Sequence, residues 1–166
     1  MRETILFSSG ECDLGLVLVG RSESGVCAIL LADDMAALER ELRRQLPQAE
    51  LREAGTELRA LLETVTAFIA APAAGLDVRL DLRGNDFQQT VWKALQEIPA
   101  GSTRSYGEVA RRIGAAGSAR EVGEACAANA LAVAIPCHRV LRKDGALAGY
   151  RWGVRRKRAL LELERS

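Results

Sequence analysis

The chain has 166 residues, of which 48% are apolar and 27% charged, with a net charge of +1. This is the composition of an ordinary soluble globular protein with one good core, or one core and a small satellite domain. No apolar stretch reaches the length of a membrane span, and acidic residues and glycine interrupt the opening "MRETILFSSGECDLG" too early for a signal peptide, so a cytoplasmic protein with no membrane contact is expected.

The small net charge hides an asymmetry. Residues 1–100 carry ten basic and sixteen acidic side chains, whereas residues 101–166 carry thirteen basic and six acidic. A basic, arginine-dominated final third is what a polyanionic partner requires, although an arginine-rich composition alone accounts for it equally well. The four cysteines (Cys12, Cys27, Cys126 and Cys137) read as reduced thiols in that compartment. No pair has C-x-x-C spacing and His138 is the single histidine, so no metal centre is expected.

In chain order, "TILFSS" and "LGLVLVGRSESGVCAILLAD" read as strands, the latter folded into a hairpin at "RSESG". "MAALERELRRQL" is an amphipathic helix stopped by Pro47, and "GTELRALLETVTAFIAA" a second helix ended by Pro72. "LDVRLDLRG" alternates apolar and polar residues and reads as another strand, completing a small α+β unit to about residue 84. From there the pattern is helical. "DFQQTVWKALQEI" has Asp86 as its N-cap and a stripe of Phe87, Val91, Trp92, Leu95 and Ile98. "SYGEVARRIG" and "SAREVGEACAANALA" are two short helices, with Ser105 and Ser118 as caps, separated by "GAAGS" in the manner of a helix-turn-helix. Beyond Arg120 the second helix is lined with small residues, Gly123, Ala125, Cys126, Ala127 and Ala128. Such a face cannot read bases across a major groove. It fits a minor groove or tight packing inside a core.

"IPCHRVL" (residues 135–141) sets Cys137 beside His138 in an apolar run. Pro136 forces an extended or turning backbone there. Cysteine in such a run is usually an inert core residue. A nucleophilic role needs a base to form the thiolate and a third group to orient that base. Neighbouring side chains on an extended segment point apart, so a bridging water is a better link between Cys137 and His138 than direct contact. Glu162 and Glu164 are the candidate orienting groups, and spacing alone does not choose between them.

"IPCHRV", with "SYGEVARRIG…AREVGEACAANALA" before it and "GALAGYRWGVRRKRALLELE" after it, closely resembles the O6-alkylguanine-DNA alkyltransferases, in particular the C-terminal alkyltransferase domain of bacterial Ada. The resemblance runs from "ECDLG" to the C-terminus and includes "ESGVCAILLADD" and "FQQTVWKALQEIPAG". It implies an α+β fold: a small ribonuclease-H-like sheet-and-helix domain over residues 1–84, then a mostly helical, winged-helix-like domain over residues 85–166 carrying the active-site cysteine. It also implies irreversible DNA repair. The alkyl group, chiefly methyl, leaves O6 of guanine in double-stranded DNA and stays on Cys137, one turnover per molecule. By the same resemblance His138 is the water-linked base, Glu164 holds it, Asn129 braces the turn, and Tyr150 donates to the departing guanine. Arg120 is the finger that fills the stack after nucleotide flipping, and Tyr106 crowds the phosphate. Gly123 and Ala127 lie on the minor-groove face. Main-chain groups at Cys137, Val140 and Arg151 line the base, and Trp152 walls the pocket where family members that accept benzyl adducts have glycine. No cofactor is needed, because the alkyl carbon arrives activated. The chain is expected to act as a monomer. It has no counterpart of Ada's N-terminal zinc and regulatory segments, so a transcriptional role is expected to need a separate protein. A binder of alkylated DNA that does not repair it is the alternative, although such relatives carry another residue in place of Cys137. A cysteine hydrolase and a plain helix-turn-helix regulator are further readings.

Overall fold

The computed structural model describes residues 2–147 and 149–165. It is a mixed α+β protein with six α-helices among these residues, and it separates into two compact units, the first running to Leu82 and the second beginning at Arg83.

In the first unit, strands β1 (Thr4–Cys12), β2 (Gly15–Ser22) and β3 (Gly25–Ala32) form an antiparallel meander. Strand β4 (Glu50–Glu53) joins the free edge of β1 in parallel, giving the order β3-β2-β1-β4. Helices α1 (Met35–Gln45) and α2 (Arg59–Ala70) cover the sheet from opposite faces. Gly20, paired with Phe7, turns toward Ile5 and Leu42 of α1, whereas Gly10 turns toward Leu62 of α2. Positions 7 and 10 of one strand have opposite parity and so face opposite sides. Burial on both faces explains the nearly unbroken apolar runs of β2 and β3.

Two sequence expectations change here. "LDVRLDLRG" is not a strand. Its only ladder contact is one parallel bridge from Leu80 to Val26, made by Val26 N–H donating to Arg79 O (2.9 Å) and Asp81 N–H donating to Val26 O (2.8 Å). Gly25, at φ +143°, permits this: a Cβ there would meet Arg79 O at 2.6 Å. The real fourth strand, "ELRE", has no apolar alternation and gave no signal.

In the second unit, α3 (Asp86–Gln96) starts at a capping box made by Asn85 and Gln88, not at Asp86, which occupies the first turn. Its Trp92 is buried and donates Nε1–H to Ala125 O (2.9 Å), tying α3 to α5 (Ala119–Ala127). Gly84 leaves room for that indole, since a Cβ there would lie 2.6 Å from it. Helix α4 (Tyr106–Arg112) begins at Ser105, which forms a capping box with Glu108. Ser118 holds the N-cap position of α5 without a side-chain bond. Short parallel strands β5 (Arg104–Ser105) and β6 (Val140–Leu141) pair beside the helices, and α6 (Val154–Arg165) packs on the turn at residues 137–139. Among the described residues no helix is long and apolar enough to cross a membrane.

Candidate active site

Pro136 ends the apolar run, and Cys137, His138 and Arg139 form one 3-10 turn, all three buried. Upstream, α5 gives way to a loop braced by Asn129. Its Oδ1 accepts from Leu131 N–H (2.8 Å), and its Nδ2 donates to Ile135 O (3.0 Å) and reaches Cys137 Sγ at 3.2 Å. Val133 in this loop is held at φ +68°, a strained conformation for a β-branched residue that persists only where its surroundings enforce it.

The imidazole of His138 is fully buried, and its Nε2 lies 2.8 Å from Glu164 Oε2. Arg139 grips the same carboxylate through Nε (3.0 Å to Oε1) and Nη2 (2.7 Å to Oε2), and donates Nη1–H to Ile98 O (2.7 Å). Burial alone would raise the Glu164 carboxyl, but the bonds from His138 and Arg139 outweigh it and hold the group at about 2. Glu164 is therefore ionised and only accepts, so Nε2 carries the imidazole proton. Burial lowers the His138 pKa, with the Glu164 bond opposing, so the ring is neutral near pH 7. In that tautomer Nδ1 is a free base, and it has no hydrogen-bond partner among the described residues.

Cys137 opens onto a cavity of about 370 Å³, lined also by Tyr106, Gly123, Cys126 and Ala127. Gly149, Tyr150 and Arg151 complete the lining. Burial, and then the neighbouring Cys126 thiol, push the Cys137 thiol well up, while Asn129 and the Lys157 ammonium act the other way. Burial likewise raises Tyr150 well above 10.0, and its hydroxyl has no partner among the described residues. The cavity is thus lined by Cys137 and by a tyrosine whose hydroxyl is unpartnered among the described residues. Tyr106 is pushed up to about 12, chiefly by burial.

Six of the twelve sequence-derived residues, Tyr106, Gly123, Ala127, Cys137, Tyr150 and Arg151, line this cavity. Asn129, His138 and Glu164 are joined to its cysteine turn by the bonds above, whereas Val140, Trp152 and Arg120 are not among its lining residues. Trp152 packs edge-to-face with Tyr150, ring centroids 5.3 Å apart, and the Arg151 guanidinium lies 5.3 Å over the indole ring. Arg151 Nη1–H donates to Asn129 O (2.6 Å). Arg120 stands apart near the start of α5 with its side chain 90% exposed, 4.0 Å from Glu124, free to reach outward.

Of the two acidic candidates it is Glu164 that meets His138, while Glu162 is exposed. Sequence reasoning found no partner for Arg139 and missed Lys157. The Lys157 side chain is fully buried and donates Nζ–H to Val140 O (2.7 Å). A signal for it existed: Lys157, Leu160 and Glu164 are spaced three and four apart, on one buried helix face. Among the described residues no cluster of three or more His, Cys, Asp or Glu is placed to hold a metal ion.

Residues 86–166 match the family described as 6-O-methylguanine DNA methyltransferase, DNA binding domain. The chain is 47% identical over 160 residues to the bifunctional transcriptional activator/DNA repair enzyme Ada of Escherichia coli, covering 96% of this chain but only 45% of Ada. A solved structure of Mycobacterium tuberculosis OGT in complex with DNA superposes with a TM-score of 0.81 at 38% identity, covering 96% of this chain and 92% of that one. A methylated-DNA–protein-cysteine methyltransferase of Methanosarcina acetivorans is 38% identical over 149 residues, which are 87% of this chain and 96% of the relative. With likeness extending over nearly the whole of that relative, the chain belongs to the methylated-DNA–protein-cysteine methyltransferase family.

Proposed function

We propose that this protein repairs O6-alkylguanine, chiefly O6-methylguanine, in double-stranded DNA by irreversible transfer of the alkyl group to Cys137. The observation that carries the reading is a thiol at a cavity wall, beside a neutral imidazole whose free Nδ1 is set by an ionised carboxylate. His138 Nδ1 takes the thiol proton through a water, and Glu164 stabilises the imidazolium that results. The thiolate attacks the alkyl carbon and the bond to O6 breaks; the unpartnered Tyr150 hydroxyl donates a hydrogen bond to the departing guanine, which takes up the proton held on His138 by way of water, leaving tyrosine and histidine neutral. The product is a neutral thioether with no leaving group, so each molecule reacts once. The alkyl carbon arrives activated on the substrate, so the reaction needs neither cofactor nor metal.

Because O6 lies inside the stacked duplex, the nucleotide is turned out first. Arg120 fills the vacated place, Tyr106 crowds the phosphate, and Gly123 and Ala127 let the helix approach the minor groove closely. Main-chain groups at Cys137, Val140 and Arg151 hold the base. The Val140 carbonyl keeps a lone pair for this despite its bond from Lys157. In this reading the first unit is a ribonuclease-H-like domain over residues 1–84, the second is a winged-helix-like domain over 85–166, and the protein works as a cytoplasmic monomer. The test is Cys137→Ser. It should abolish methyl transfer from methylated duplex DNA while DNA binding persists, and transfer persisting in that variant overturns the assignment.

A further inference from the structure

The reaction uses one thiol, yet a second stands beside it. Cys126 lies in the last turn of α5 and lines the same cavity as Cys137. Cys137 Sγ is 3.6 Å from the Cys126 carbonyl oxygen, so the acceptor sulfur packs directly against the residue that carries the second thiol. Both are free thiols. Lys157, fully buried, interacts electrostatically with both sulfurs. Alkyl transfer leaves Cys126 without a task, and its neighbours on the helix face, Gly123 and Ala127, are small enough to leave the sulfur open to the cavity.

A protein that acts once has a particular exposure to oxidation. An acceptor thiol carried to sulfinic acid is lost as surely as one that has been alkylated, whereas a disulfide returns both thiols on reduction. We propose that Cys126 and Cys137 form an oxidisable dithiol, closed to a disulfide by hydrogen peroxide, that reversibly withdraws the acceptor from alkyl transfer. The proposal rests on the reading of Cys137 as that acceptor. The Cys137 thiolate attacks one peroxide oxygen, the O–O bond breaks, and after one proton is taken up the products are the sulfenic acid and water. The Cys126 sulfur then displaces the hydroxyl from the sulfenic sulfur, giving the disulfide and a second water. Two thiols are oxidised and one peroxide is reduced. Closing a bond of about 2.0 Å requires the side chains to draw together, and Cys126 stands one residue before the end of α5.

The test treats the full chain with hydrogen peroxide and reads intact mass, a non-reducing peptide map, and methyl acceptance from methylated duplex DNA. Wild type should lose about 2 Da, yield a peptide pair joined through Cys126 and Cys137, and lose methyl acceptance until dithiothreitol restores it. Cys126→Ser, and Cys126→Ala as a second variant, should form no such pair. Each should instead gain about 32 Da at Cys137 and stay inactive after dithiothreitol, relative to its own untreated sample. No joined peptide in wild type whose methyl acceptance is intact before oxidation overturns the pair alone, as does full recovery of the Cys126 variants. A joined peptide in protein that accepts no methyl even before oxidation overturns the reading of Cys137 as acceptor.

Discussion

Glu164 Oε2 is shared by His138 Nε2 at 2.8 Å and Arg139 Nη2 at 2.7 Å, so one carboxylate from the last helix fixes two consecutive residues of the active-site turn. This contact sets the imidazole tautomer and anchors α6 on the turn. Glu164→Ala leaves a buried guanidinium and a buried imidazole without their acceptor, and should destabilise the fold by about 3–5 kcal/mol, measured by urea unfolding. Glu164→Gln keeps the shape of the contact. It should cost less stability while slowing methyl transfer, because a neutral amide no longer stabilises the imidazolium. A Gln variant with the wild-type transfer rate contradicts this.

Stability should fall on the acid side. Glu164 sits at about 2 in the folded protein against an ordinary 4.5. Its contribution is complete above pH 4.5 and is lost as the pH falls toward 2, where the folded state must also take up the proton. Burial depresses His138 below its ordinary 6.5. Once the pH drops under that value the unfolded chain binds a proton that the folded chain refuses, and unfolding is favoured. Urea midpoints from pH 8 down to 3 should therefore decrease, beginning below pH 6.5. The acid limb of the transfer rate should likewise lie below pH 6.5, because the base is the neutral ring. Midpoints that rise on acidification would contradict both assignments.

Arg120, exposed and lacking any close bond to the cavity, should matter for duplex substrate and not for bond making. Arg120→Ala should slow repair of methylated duplex far more than reaction with a free alkylated base. Binding of wild type to DNA should weaken steeply with salt as the basic final third releases counterions. Equal losses on both substrates, or a flat salt dependence, speak against this.

Trp152 packs edge-to-face with Tyr150. Trp152→Gly should loosen the tyrosine wall, raise the rate of inactivation by free O6-benzylguanine, and cost about 3–5 kcal/mol of stability for the lost buried indole. Residual methyl transfer after timed exposure to benzylguanine reads the first effect. Wild type inactivated as fast as the variant removes the tryptophan from any control of substrate size.

What the sequence made legible was local. Cys137 and His138 announce themselves by adjacency, α4 and α5 by their caps and glycines, and the β2–β3 hairpin by its turn. What stayed hidden was long-range. The partners of Arg139 lie 25 and 41 residues away, and no period in the chain points to them. Lys157 was hidden by its residue type, because a buried lysine is rare and is paired here with a backbone carbonyl that has no sequence signature. "LDVRLDLRG" alternates like a strand yet makes a single bridge, while "ELRE" pairs along four residues of β1 with no apolar pattern. Sheet membership in both cases was decided by tertiary contacts that local pattern does not record.

The most direct measurement is the intact mass of the protein after incubation with excess duplex DNA carrying O6-methylguanine. A covalent, single-use acceptor predicts one added methyl group, about 14 Da, in every molecule, mapped to the Cys137 peptide and unchanged by longer incubation. An unshifted mass, or repair of many guanines per protein molecule, would contradict it.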